Sequence, residues 1–130
     1  MNYSSDSLYQ RLGQGGQIGH IRINEPPENL IDQSIAMLLS EISKTLNIAA
    51  SEVRVIILSG LPNGPFSLGT SGDFETASRN ITGPELLELI ERYSVADSIA
   101  SIPHPVIAAV EGEAFDQGLE MLLAADLRIA

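Results

Sequence analysis

The chain of 130 residues contains no cysteine and no tryptophan, and Lys44 is its only lysine. The absence of cysteine excludes a disulfide scaffold, a thiolate metal site and a cysteine nucleophile. Two histidines, His20 and His104, are too few for a histidine-rich metal cluster. Seven basic residues stand against 17 acidic ones, and the formal net charge is −10. This charge argues against nucleic acid as the main partner, because nucleic acid attracts basic surfaces.

Long apolar runs are also missing. No stretch approaches the roughly 18 consecutive apolar residues of a membrane helix. The opening MNYSSDSLYQ lacks the basic start and apolar run of a signal peptide. We therefore expect a soluble, cytoplasmic protein with no membrane partner. The hydrophobic content of 44% is ordinary for a globular protein and too high for a disordered one.

Strand-like and helical segments alternate along the chain. A Gly-rich turn at 13–16 separates LYQRL from QIGHIRI, which predicts a hairpin. Further strands are predicted at 53–59, 106–110 and 127–130, and helices after Asp32, after a T-x-x-E capping box at Thr82 and Glu85, and over 118–125. The alternation predicts an α/β fold class with a largely parallel sheet. Without repeats or a low-complexity linker, residues 1–130 are predicted to form a single domain.

The chain ends at Ala130 inside an apolar, strand-like segment. Since an apolar strand rarely stops without a turn or a polar tail, we expect a truncated or partial chain. An edge strand that finishes at the surface is the alternative. The same ending predicts that Leu122, Leu127 and Ile129 lack partners, so that the chain self-associates or depends on another polypeptide.

Three familiar motifs are incomplete in this sequence. GQGG at 13–16 is followed by Ile18 where the G-x-G-x-x-G dinucleotide motif needs glycine, and it precedes a strand rather than a helix. GTSGD at 69–73 has Asp73 where the G-x-S-x-G nucleophile elbow needs glycine. The acidic residues between 111 and 120 lack the spacing of a calcium-binding loop. We therefore predict neither a dinucleotide cofactor nor a metal site.

Four segments in register along the chain carry a resemblance to a known family. They are IRINEPPENLID at 21–32, VRVIILSG at 53–60 with PFSLG at 65–69, IPHPVIAAVEG at 102–112, and GLEMLLAADLRIA at 118–130. In order and spacing they resemble the enoyl-CoA hydratase/isomerase (crotonase) superfamily over about residues 17–130. The resemblance implies a crotonase-like spiral of ββα units, of which this chain is the N-terminal core and from which the C-terminal helical part is missing.

The resemblance also implies chemistry on an acyl-CoA thioester, with coenzyme A as part of the substrate and no separate cofactor. Such chemistry passes through an enolate-like anion, which backbone N–H donors can stabilise. Carried over to this sequence, the donors are the N–H groups of Thr70 and Gln117, and Glu120 is the catalytic carboxylate that transfers a proton. Since the family forms trimers and hexamers, the resemblance also implies a homo-oligomer.

Other positions that match the family's motifs are implied to contact the substrate, and two departures bear on the site. Where the family commonly has G-G-G-x-E, this chain has D-Q-G-L-E, so the carboxylate of Asp116 would repel an enolate unless it points away. The loop FSLGTSGDF is two residues longer than F-x-x-G-x-D, which leaves Thr70 and Gly72 as alternatives for the first donor. The implied substrate-binding residues are Leu30, Phe66, Gly69, Gly72, Asp73, Gly112 and Gly118.

A second catalytic glutamate is implied to lie beyond Ala130, so residues 1–130 alone are expected to show no turnover. An alternative function is a catalytically degenerate crotonase fold that acts as a binding or assembly module. The altered turn and the charge of −10 favour this alternative, because coenzyme A is itself an anion. A third possibility is an α/β domain whose likeness is only architectural, since a fold does not fix chemistry.

Overall fold

A computed structural model describes residues 8–48 and 52–130 of the chain. Its strands are β1 (Tyr9–Leu12), β2 (Ile18–Arg22), β3 (Val55–Ser59), β4 (Val106–Ala109) and β5 (Leu127–Ile129). Its helices are α1 (Gln33–Leu46), α2 (Gly72–Ser78), α3 (Pro84–Tyr93), α4 (Ala96–Ala100) and α5 (Gln117–Ala124). Within the two described ranges, no helix has both the length and the apolar composition that crossing a bilayer would need.

The strands form one sheet in the order β1-β2-β3-β4-β5. β1 and β2 are antiparallel, with Tyr9 opposite Ile21, and all other neighbours are parallel. In the turn between β1 and β2, Gly13, Gly15 and Gly16 have positive φ angles, which glycine adopts without steric cost. The predicted hairpin, the α/β class and the largely parallel sheet are thus confirmed.

One face of the sheet carries the core. Side chains along β2 and β3 alternate between buried and half-buried, because successive residues of a strand point to opposite faces. Ile21, Ile56 and Leu58 have no exposed surface, and they share a core cluster with Ile35 and Leu39 of α1. Burying each such side chain stabilises the fold by about 1.5–3 kcal/mol.

Helix α1 begins after Asp32, as the sequence predicts. Oδ1 of Asp32 accepts a hydrogen bond of 2.8 Å from the N–H of Ile35. This bond satisfies one of the first-turn donors that a helix cannot pair internally. At the other end, Lys44 lies in the last turn, where a positive charge interacts favourably with the helix dipole.

The helix predicted after the capping box differs from the structure in two ways. α3 begins at Pro84 with Gly83 as its N-cap, and no side chain caps it, so the capping box is not formed. The predicted helix, whose apolar positions run from Leu86 to Ala96, is also broken at Ser94, whose backbone is extended (φ −72°, ψ 126°). The break frees the N–H of Val95 from helical pairing, and it donates instead to Oε1 of Gln117 at 3.2 Å. For this N–H, a hydrogen bond to a side chain of another element therefore replaces the helical hydrogen bond.

Of the three apolar residues predicted to lack partners near the end of the chain, one is buried and two are exposed. Leu122 of α5 is only 6% exposed and belongs to the core, so the expectation that it lacks partners is wrong. Arg128 donates from Nη1 to the Leu122 carbonyl oxygen at 2.8 Å, which ties β5 to α5. Leu127 and Ile129 are 59% and 60% exposed. Self-association through them stays a prediction.

Three loops that follow β2, β3 and β4 lie side by side beyond the carboxyl ends of these strands. We call their paired segments, 28–31, 66–71 and 113–115, the loop layer. Ligands of parallel α/β sheets bind at this edge. The middle segment is bonded to both neighbours through Leu68 N to Glu28 O (3.0 Å), Ile31 N to Gly69 O (2.8 Å), Ser71 N to Ile31 O (2.8 Å), Phe66 N to Glu113 O (2.8 Å) and Phe115 N to Ser67 O (3.0 Å).

Candidate active site

Thr70 lies in the middle segment of the loop layer and donates two hydrogen bonds to Asp116. Its backbone N–H lies 3.2 Å from Oδ2 of Asp116, and its hydroxyl lies 3.0 Å from the same oxygen. The N–H that the sequence predicts as an oxyanion donor therefore has an anionic acceptor within the chain. The carboxylate of Asp116 points toward this donor, not away from it.

Gln117 is the first residue of α5, and its buried side chain connects two elements. Nε2 donates to Oγ1 of Thr70 at 2.9 Å, and Oε1 accepts from the N–H of Val95 at 3.2 Å. Because the amide nitrogen can only donate, the Thr70 hydroxyl accepts from Gln117 and gives its own hydrogen to Asp116. The four residues form one directed chain of hydrogen bonds from α3–α4 to the loop layer.

The backbone N–H of Gln117 is at the open start of a helix. The first N–H groups of a helix have no intrahelical acceptor, and no acceptor for this one occurs among residues 8–48 and 52–130. The following turn is closed by Gly118 N to Phe115 O at 2.8 Å and by Glu120 N to Asp116 O at 3.0 Å. The Gln117 N–H thus lies at the positive end of the helix dipole, where it remains a candidate donor.

Asp116 has a backbone conformation that residues other than glycine rarely adopt. Its φ is 51° and its ψ is −126°, and holding a side-chain-bearing residue in such a region costs about 1–3 kcal/mol. Gly69 opposite also has a positive φ of 120°, and a Cβ there would lie 2.9 Å from Cβ of Asp116. Glycine at position 69 therefore leaves room for the side chain at position 116.

Glu120 lies in the first turn of α5, exposed, and faces the same cavity as the two predicted donors. The structure thus brings together Thr70, Gln117 and Glu120, the three residues that the sequence predicts to carry the chemistry. The cavity measures about 260 Å³ and is lined by Thr70, Phe74, Ile90, Tyr93, Ser94, Asp116, Gln117 and Glu120.

The apolar wall of this cavity was not predicted from the sequence. The rings of Phe74 and Tyr93 meet edge to face, with centroids 5.2 Å apart and an angle of 73°. Burial raises the pKa of the Tyr93 phenol, and the nearby carboxylates of Asp73 and Asp32 raise it further. Tyr93 belongs to an amphipathic helical stripe, a pattern that marks a buried face but does not distinguish a cavity wall from the core.

Gly118 and Gly112 are the implied substrate-binding glycines at which the backbone packs most closely. A Cβ at Gly118 would collide with the Ser67 carbonyl oxygen, and a Cβ at Gly112 would collide with the Gly64 carbonyl oxygen. Gly112 lines a second cavity of about 400 Å³ rather than the one that contains Glu120. In the structure, both glycines serve close approach of backbone to backbone.

The remaining implied substrate-binding residues are not gathered in the Glu120 cavity. Phe66 is 1% exposed and its side chain belongs to the core, while Leu30 is half-buried. Gly72 begins α2 and is exposed, with no heavy atom within 4 Å of an added Cβ. Asp73 is exposed in the first turn of the same helix. Of the alternatives for the first donor, Thr70 lines the cavity and Gly72 does not.

Asn29 is a positioning residue that the sequence analysis did not select. It has no exposed surface and adopts a φ of 57°. Its Nδ2 donates to the carbonyl oxygens of Ile23 (2.8 Å) and Phe66 (2.7 Å), and its Oδ1 accepts from the N–H of Glu25 at 2.6 Å. These bonds tie segment 28–31 of the loop layer to its middle segment and to the earlier residues of the loop after β2. The only available signal was its place in the NEPPENL segment, where it resembles a turn residue.

In the part of the chain that the structure describes, no three His, Cys, Asp or Glu side chains are grouped closely enough to hold a metal ion.

Comparison with known proteins gives consistent findings. A family model described as enoyl-CoA hydratase/isomerase matches residues 13–130. Mitochondrial methylglutaconyl-CoA hydratase of Mus musculus is 35% identical over 106 residues, which are 79% of this chain and 32% of the mouse protein. The peroxisomal bifunctional enzyme of Danio rerio is 32% identical over 112 residues, which are 85% of this chain and 14% of that protein.

A solved structure shows the same likeness in three dimensions. The crystal structure of an enoyl-CoA hydratase from Bacillus anthracis aligns with a TM-score of 0.73 and 28% identity, over 88% of this chain and 43% of that chain. The chain thus spans less than half the length of each of these three relatives.

Proposed function

Because the chain belongs to the enoyl-CoA hydratase/isomerase family, we propose that it provides an acyl-CoA hydratase- or isomerase-type site. In this proposal, the backbone N–H groups of Thr70 and Gln117 bind the thioester oxygen, and Glu120 transfers the proton. The substrate is an acyl-CoA thioester, and coenzyme A enters as part of it.

The chemical basis is stabilisation of developing negative charge. Adding water to, or shifting a double bond in, an enoyl thioester places charge on the thioester oxygen. Two fixed N–H donors aimed at that oxygen lower the barrier, and one such donor is typically worth about 10²–10³ in rate. A carboxylate beside the reacting carbons can deliver or remove a proton, a contribution of about 10²–10⁴.

One observation carries the proposal. The side chains of Thr70 and Gln117 are joined by a 2.9 Å hydrogen bond, which holds the two proposed donor residues next to each other in the lining of one cavity. Glu120 lines that same cavity, one helical turn after Gln117. Phe74, Ile90 and Tyr93 offer an apolar wall against which an acyl chain can pack.

A second candidate function is a binding or assembly module on a degenerate crotonase fold. The observation that favours it is the hydrogen bond from the Thr70 N–H to the carboxylate of Asp116, because it engages one of the two donors. The net charge of −10 adds to this, since the coenzyme is an anion. The experiment below separates the two candidates.

A homo-oligomer and a cytoplasmic location are further parts of the proposal. The first rests on the family to which the chain belongs. Location stays a prediction, since the mouse relative is described as mitochondrial and the zebrafish relative as peroxisomal.

The decisive experiment compares Glu120→Gln with Glu41→Gln, a matched change at another exposed glutamate, in helix α1. Residues 1–130 are expected to bind but-2-enoyl-CoA without hydrating it, with an affinity that Glu120→Gln changes less than threefold. In a protein that continues beyond Ala130, Glu120→Gln should lower hydration at least 100-fold, whereas Glu41→Gln should leave it unchanged. The absorbance of the conjugated thioester follows the reaction.

The possible results separate the two candidates. Hydration that survives Glu120→Gln would remove Glu120 from the proposed role. Binding without hydration, even in a longer protein, would favour the module. Absence of binding in every form would contradict both candidates as far as they involve an acyl-CoA thioester.

A further inference from the structure

We infer that the carboxylate of Asp116 is a resident internal ligand of the proposed oxygen-binding position, which a thioester must displace in order to bind. The inference rests on the proposed function for the role of the site. It assigns to Asp116 a part in determining affinity that no motif of the sequence assigns to this position.

The contacts of Asp116 are those that a bound anion would make. Its Oδ2 receives the backbone N–H of Thr70 at 3.2 Å and the Thr70 hydroxyl at 3.0 Å. A carboxylate accepts such bonds more strongly than a neutral carbonyl does, because the acceptor is charged. A thioester oxygen therefore competes for the Thr70 N–H against a better acceptor that is already in place.

The neighbours of Asp116 hold this arrangement. Gln117 donates to Oγ1 of Thr70 at 2.9 Å, which directs the threonine hydroxyl hydrogen toward Asp116. The Gln117 side chain is itself fixed by the N–H of Val95. Gly69 leaves space for the aspartate side chain, since a Cβ there would approach Cβ of Asp116 to 2.9 Å. The orientation of the Asp116 side chain thus depends on Gln117, on Val95 through Gln117, and on the space left by Gly69.

The Asp116 carboxylate can also leave the Thr70 N–H. Asp116 is exposed to solvent, so its carboxylate can rotate into water without losing its hydration. Its backbone conformation, with φ at 51°, is one that glycine adopts at no cost. Replacing Asp116 by glycine therefore removes the competing acceptor and relieves backbone strain together, and the fold is expected to tolerate the change.

The test measures the affinity of butyryl-CoA, a thioester that cannot be hydrated, and of free coenzyme A, which lacks the thioester oxygen. Asp116→Gly should bind butyryl-CoA at least tenfold more tightly than the unaltered chain and free coenzyme A less than threefold more tightly. Asp116→Asn should give a smaller gain for butyryl-CoA, because its amide oxygen still accepts from Thr70. Asp97→Asn, a charge-matched change on α4, should alter neither affinity more than twofold.

A second measurement does not depend on any ligand. Amide hydrogen exchange at Thr70 should be faster in Asp116→Gly and in Asp116→Ala, and close to unaltered in Asp116→Asn. Unchanged exchange in the glycine variant would overturn the inference, and so would equal gains for butyryl-CoA and free coenzyme A. Faster exchange without thioester binding by any variant would support Asp116 as the resident acceptor and contradict the proposed function.

Discussion

The glycine at position 118 allows α5 to pack closely against the loop layer. It follows Gln117 in α5, and a Cβ there would collide with the carbonyl oxygen of Ser67 in the loop layer. Because a backbone atom cannot move aside as a flexible side chain can, α5 and the loop layer approach this closely only with glycine at that position. The distance between the two proposed donor residues depends on this approach.

We therefore expect Gly118→Ala to lower the free energy of unfolding by about 1–3 kcal/mol, the usual cost of overpacking. The matched change Gly72→Ala meets no atom within 4 Å and lies at the start of α2. It should be neutral or stabilise by about 0.5 kcal/mol. Denaturant unfolding of both variants checks the prediction, which fails if the two changes cost the same.

The position of Asp116 was predictable from the sequence, but the direction of its side chain was not. The D-Q-G-L-E pattern indicates that a carboxylate stands where a glycine is common. Whether that carboxylate points toward Thr70 depends on the backbone angles at Asp116 and on the hydrogen bond from Thr70, a residue 46 positions earlier. No local pattern contains that information.

At the level of elements, two helices with N-cap residues of similar chemistry differ in how they begin. Asp32 caps α1 with a 2.8 Å bond to the N–H of Ile35. Ser71 stands at the N-cap of α2 without a side-chain cap bond, and its buried hydroxyl oxygen has no hydrogen-bond partner among the residues that the structure describes. The first side chain stabilises its helix, and the second contributes no such bond.

Asp32→Ala is accordingly expected to lower the free energy of unfolding by about 1 kcal/mol. Ser71→Ala removes an unpaired buried hydroxyl and should be neutral or slightly stabilising. Chemical denaturation with far-UV circular dichroism measures both changes. A loss of stability in Ser71→Ala as large as that in Asp32→Ala would contradict this explanation.

Helices and strands were predicted correctly where the apolar pattern extends over many residues. They were predicted incorrectly where contacts with distant residues determine the backbone conformation. The fourteen residues of α1 and the parallel strands follow from their apolar spacing. The break at Ser94 does not, because the N–H of Val95 that it frees pairs with Gln117, 22 residues away in sequence. The cap at Thr82 failed because the chain enters α3 through Gly83 at a φ of 62°.

On the scale of the whole molecule, His20 couples stability to pH. It lies on β2, with Nε2 2.7 Å from Oγ of Ser59. Partial burial lowers the pKa of its imidazole below the ordinary value of 6.5, and the charge of Arg22 lowers it further. The folded state therefore takes up its proton at lower pH than the unfolded state, and stability falls as pH drops below about 6.5.

This prediction is checked by unfolding at several pH values between 7.5 and 5. His20→Gln should lose less stability than the unaltered chain as the pH falls through this range. His104→Gln removes the other imidazole and should leave the contribution of His20 in place. Identical pH profiles for His20→Gln and the unaltered chain would exclude His20 as the source.

The fold of the whole molecule was more predictable from the sequence than its candidate site. The fold class and the family could be predicted from short segments taken in their order along the chain, because the pattern of neighbouring residues is enough to predict a strand or a helix. The cavity, its aromatic wall and the loop layer depend on residues from four separate parts of the chain, and no single segment encodes them.

The loop layer has a consequence for how the protein folds. Its bonds join residues 37 to 48 positions apart, as in Asn29 to Phe66 and Phe115 to Ser67. Contacts of such high sequence separation require long loops to close, so they form late and slowly relative to helices. The helices are therefore expected to form before the loop layer does.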